Sequence, residues 1–146
     1  PPPPDPPPPH PHQHRNSHSF PTRRSSDLAA EMHSGFQALR GQLPMNLRRT
    51  PRAPHWDAAA TRDLERVQAL WRQLRDRFGH GGDFLCGGFG IVDAMFAPVC
   101  VRFRGYGVPL AGAAADYVAA MYELPAMSEW LMAGRAESER VAHDEA

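Results

Sequence analysis

One stretch limits what this chain can fold into more than any other. From Ile91 to Phe103 the residues run Ile, Val, Asp, Ala, Met, Phe, Ala, Pro, Val, Cys, Val, Arg, Phe, leaving almost no polar face before Arg102 and Arg104. A helix that is apolar nearly all round has no side to turn toward water, so it belongs at the centre of a domain with other helices wrapped about it. Gly105 and Gly107 close the stretch. Pro98 lies inside it and removes one backbone donor, freeing a carbonyl near Ala94, so a bend is expected there.

The flanking segments supply the wrapping. Met32, Phe36, Leu39 and Leu43 recur on one face of a helix, which Pro44 ends by pushing its predecessor out of the α region. Pro51 and Pro54 mark a loop. Asp57 is a good N-cap for a second helix whose apolar stripe is Leu64, Val67, Leu70, Trp71, Leu74 and Phe78. Gly79, Gly81 and Gly82 are expected to stop that helix through a left-handed C-cap. Tyr117, Val118, Met121 and Leu124 form a fourth short stripe. Pro125 suits the first turn of a fifth, carrying Met127, Trp130 and Leu131, with the chain fraying after Gly134. No alternation of period two appears, so the expectation is an all-α bundle around a buried central helix.

The first 28 residues stand apart. Pro1–Pro4 and Pro6–Pro9 are followed by His10, His12, His14 and His18, and a segment so rich in proline can neither supply backbone donors nor bury a core. The run His18–Leu28 resembles one translated frame of a DNA-sequencing adapter. Residues 1–28 are therefore read as a disordered, artefactual segment, and 29–146 as the domain.

Composition excludes several classes. Basic and acidic residues number 16 each, so the formal net charge is zero. Nucleic-acid and membrane-surface binding both need a basic excess. No run of about 18 apolar residues is present to span a membrane, and no basic-then-apolar leader opens the chain. Cytoplasm is the expected compartment. Cys86 and Cys100 form no CxxC pair and read as packing thiols. His55, His80 and His143 lack metal-ligand spacing. The glycine-dense run Gly79–Gly90 lacks the Lys-Ser/Thr of a phosphate loop.

Three motifs carry a family resemblance. Gly88-Phe89-Gly90-Ile91-Val92-Asp93-Ala94 resembles the Gly-x-x-Ser/Thr-x-Ala-Asp start of the buried central helix in the C-terminal domain of glutathione transferases. In that pattern the hydroxyl caps the helix while the Asp reaches back to the N-cap amide. Here Gly90 replaces the hydroxyl, so half of the box is missing. Glu31-Met32-His33-Ser34-Gly35-Phe36 is similar to the Glu-Leu-His-Lys-Gly-Phe run of beta-class bacterial transferases, with Ser34 in place of the Lys. Leu124-Pro125-Ala126-Met127-x-x-Trp130 resembles the family's last helices.

The resemblance implies one half of a two-domain enzyme, the thioredoxin-like half that binds glutathione being missing. The helical half then supplies one wall of the pocket for a hydrophobic electrophile, is inactive alone, and belongs to a homodimer when intact. By the same resemblance His33 faces the glutathione side of the cleft. Arg102 and Tyr106 share a helix face by their i, i+4 spacing and would line the electrophile pocket, with Phe36, Arg40 and Met95 as further lining. A structural Arg102 is the competing reading. Gly90 and Asp93 are structural, forming the cap, and no catalytic or metal residue is assigned. A non-catalytic transferase-fold module for protein–protein interaction is the alternative function.

Overall fold

The computed structural model describes residues 35–49 and 55–139. The Pro/His-rich head, the Met32 and His33 positions, the Pro51–Pro54 loop and the last seven residues lie outside them. The described residues form five helices: α1 (Gln37–Gln42), α2 (Ala58–Phe78), α3 (Ile91–Gly105), α4 (Ala113–Glu123) and α5 (Pro125–Ala136). Among them there is no strand, and the one isolated bridge pairs Phe84 with Gly87 across a tight turn. The all-α expectation holds.

The first helix departs from its expected course. Phe36 takes a left-handed conformation (φ 55°, ψ 40°) and acts as N-cap of α1, so the helical face read from Met32 to Leu43 is interrupted there. Gly35 precedes the break, and glycine gives up the most backbone freedom in a helix. The Phe36 ring is nonetheless buried, and the Arg66 guanidinium lies 5.3 Å from its centre. The short α1 is fastened from outside: Asp63 of α2 accepts the Leu39 N–H at 3.1 Å, one of the donors that a helix start leaves without an internal partner.

Asp57 caps α2 as expected, one carboxylate oxygen accepting from the Ala59 and Ala60 amides at 2.8 and 2.9 Å. Ala60, Leu64, Val67, Trp71 and Leu74 are buried along one side of the helix. Gly79 is not the left-handed cap; its φ is −75°, and the positive φ falls at Gly81 and Gly87 instead. Gly82 answers to a different need. A Cβ there would strike the Gly87 carbonyl oxygen, because the two backbones of the turn run against each other.

Trp71 stands at the middle of the main core. Its ring centre lies 5.7 Å from Phe96, 5.2 Å from Phe103 and 4.9 Å from Tyr117, so one side chain of α2 joins α3 and α4 through edge-on and tilted aromatic contacts. Val92, Phe96, Val99, Cys100 and Phe103 face this core, while Val101 packs with Met127 and Leu131 of α5 in a smaller cluster. Two opposed core-facing sides make α3 the central helix.

Its burial is less complete than the sequence suggests. Ile91 is 63 % exposed, Ala94 is exposed, and Met95, Ala97 and Pro98 are half-buried. Trp130, expected inside, is 40 % exposed. The helix runs through Pro98 and ends at Gly105. There the Gly107 amide bonds to the Arg104 carbonyl and the Val108 amide to the Phe103 carbonyl, a Schellman ending that uses the left-handed φ of 64° at Gly107.

Gly134 does not end the fold. It lies inside α5, where a Cβ would collide with Leu47. The bare backbone lets the segment after α1 pack against α5.

Candidate functional site

Polar chemistry gathers at the two ends of α3. At its start Asp93 is fully buried. One carboxylate oxygen accepts the Gly90 amide at 2.9 Å, which is the acidic half of the capping box. The other accepts the Leu85 amide at 3.0 Å, a bond outside the motif. The glycine-rich turn is thus stitched to α3 from one side. From the other, Arg75 of α2 donates one nitrogen to the Gly82 and Phe84 carbonyls at 2.9 and 2.8 Å.

Burial raises the Asp93 pKa, against the pull of the Leu85 and Gly90 amides toward the charged form. Tyr117 acts on the Asp93 carboxyl, Asp93 and Tyr117 act on the Cys100 thiol, and burial drives the pKa values of Cys100 and Tyr117 up. Burial makes the thiolate of Cys100 and the phenolate of Tyr117 scarce, which suits both to packing and not to nucleophilic attack.

At the far end, Arg102 and Tyr106 act on one target, as their shared face requires. The Arg102 Nε donates to the Leu43 carbonyl at 2.8 Å, and the Tyr106 hydroxyl donates to the Pro44 carbonyl at 3.1 Å. The Arg49 guanidinium sits 4.1 Å above the Tyr106 ring. Arg102 thus meets backbone oxygens of the Leu43 and Pro98 carbonyls. Together these residues bind the segment leaving α1 to the end of α3.

Phe36 is buried under Arg66, Arg40 is exposed on α1, and Met95 is half-buried on α3. His33 lies outside the described residues. Openings among the described residues flank this framework. An apolar groove of about 220 Å³ runs between Phe89, Pro98, Met127 and Trp130. A more polar cavity of about 360 Å³ is lined by Arg49, Arg104, Tyr122 and Arg135. Neither includes Arg102 or Tyr106. Sequence reasoning missed Arg104 and Arg135, since only the fold brings residues 31 positions apart to one cavity; the signal available was the pair of cations near the apolar α3.

A buried central helix with an acidic cap at its third position, held among amphipathic neighbours, defines an all-helical domain whose identity rests on that helix. The family comparison makes it specific: the model described as glutathione S-transferase, C-terminal domain, matches residues 57–133. That is more than half of the chain, which belongs to this family. No curated protein matches the chain.

Proposed function

We propose that this chain is the helical half of a glutathione transferase and contributes a wall of the electrophile pocket. The observation that carries the reading is the family match over 57–133, coinciding with an α3 whose acidic cap is buried and fully bonded. In the intact protein a thioredoxin-like half would hold glutathione and the group that stabilises its thiolate. The electrophile would lie against the helical half, and rate enhancement would come from orientation and water exclusion.

His33, Phe36, Arg40 and Met95 are the residues proposed to face the substrates. Arg102 and Tyr106 serve the same wall by fixing the Leu43–Pro44 segment to α3. The reading includes a cytoplasmic homodimer with glutathione and a hydrophobic electrophile as ligands. Among the described residues no helix is long and apolar enough to cross a membrane.

The purified chain is expected neither to conjugate glutathione nor to bind it more tightly than about 1 mM, worth roughly 4 kcal/mol. Titration calorimetry with reduced glutathione measures this. A dissociation constant in the micromolar range would place the glutathione site within this chain and overturn the division of labour.

A further inference from the structure

We propose that the cavity between α3, α5 and the segment after α1 binds a small, multiply charged anion through Arg104 and Arg135. The cavity measures about 360 Å³, within the range of small-molecule sites. Arg49, Arg104 and Arg135 line it with Asn46 and Ser128, and among the described residues no carboxylate contributes to the lining.

The two key guanidinium groups are held without using up their donors. Arg104 lies with its Cζ 4.2 Å above the Tyr122 ring. Such stacking occupies the face of the guanidinium and leaves its N–H edge for a ligand. Arg135 gives its Nε to the Leu47 carbonyl at 3.2 Å, which leaves the donors of its two terminal nitrogens. Arg48 adds a second tie across the same gap, donating to the Glu137 carbonyl at 2.7 Å.

These contacts tie the segment after α1 to α5 and place Arg104 and Arg135 beside the cavity. Both cations also act on one point, since Arg104 and Arg135 each oppose the upward push of burial on the Tyr122 phenol. Val101 and Leu131 form an apolar part of the lining beside the exposed Arg104 and Arg135. The guanidinium fork matches the oxygens of phosphate and carboxylate groups alike.

Calorimetry on the full chain in about 0.15 M salt, where exposed charges are screened beyond about 8 Å, with pyrophosphate and citrate as probes, tests the site. Saturable binding of either is expected, and the tighter probe identifies the head group. Arg104→Gln combined with Arg135→Gln should weaken it by about tenfold or more. Arg77→Gln, an exposed control at the end of α2, should leave it within about twofold. Should the double variant lose its helical circular dichroism, Arg104→Lys keeps the charge and loses the fork, with a several-fold loss expected. The proposal is overturned if neither probe binds saturably, or if Arg77→Gln weakens binding as much as the cavity variants do.

Discussion

The two ends of α3 divide the polar chemistry of this domain between folding and access. At the start, one carboxylate is sealed from water and both of its oxygens are taken by backbone amides of the preceding turn. At the other end, arginines hold their positions through stacking and carbonyl contacts while a cavity remains beside them. A buried acid with its bonds satisfied is a folding device, and removing it exposes the cost of burying what it served. Exposed cations such as Arg104 and Arg135 contribute little to stability. The family match covers both ends, but the motif that sequence patterns recognise is the sealed one.

The sharpest way to break this contrast is Asp93→Ala. It strips the cap from α3 and leaves the Leu85 amide unbonded beside a buried side chain. A loss of about 2–4 kcal/mol is expected, the cost of a cap plus that of an unsatisfied buried donor. Chemical denaturation measures it; a loss below about 0.5 kcal/mol would remove Asp93 from the framework. The same residue sets a pH trend. Burial raises its pKa above the ordinary 3.8, so the native state holds the proton more tightly than the unfolded chain does. The proton-linked part of the stability is complete below 3.8 and is lost as pH rises through the raised value, on top of the bonds to Leu85 and Gly90. Asp93→Asn should flatten that part of the stability profile.

Tyr106→Phe probes the other end. It keeps the buried ring and removes the bond to the Pro44 carbonyl, for an expected loss of about 0.5–1.5 kcal/mol. A larger loss would mean that this end, too, is built for folding. Gly90→Ser should give the smallest change, a gain of about 0.3 kcal/mol from completing the capping box. The site admits it: Gly90 is extended (φ −145°), and the nearest group to an added Cβ is an Asp93 oxygen 3.9 Å away. Thermal unfolding resolves the sign, and destabilisation would show that the glycine is needed there for another reason.

Much of this framework is legible in the sequence because it is local. Asp57 as a cap, the α2 stripe, the start of α3 at Ile91 and Pro125 opening α5 each depend on residues within one or two turns. The shared face of Arg102 and Tyr106 was equally readable, and both reach adjacent carbonyls. What escaped depends on how distant segments meet. Gly134 reads as the last ordered position before a fraying tail until Leu47 is placed against it inside α5. Phe36 reads as one more apolar position in a stripe, whereas its backbone turns left-handed to start α1. The second bond of Asp93 reaches Leu85 across a turn whose path the capping motif does not specify. Arg104 and Arg135 acquire a common role only when α3 and α5 lie side by side.

The claim that Asp93 is a folding device is tested most directly by native-state hydrogen exchange at the amides it binds. In the unaltered protein the Leu85 and Gly90 amides should exchange slowly, with the Leu85 amide approaching the protection of the α2 and α3 core. In Asp93→Ala both should exchange faster by about tenfold or more, corresponding to at least about 1.4 kcal/mol of lost local stability. If both amides kept their protection while Asp93 was gone, the turn would be held by other means, and the assignment of this carboxylate to the framework would be wrong.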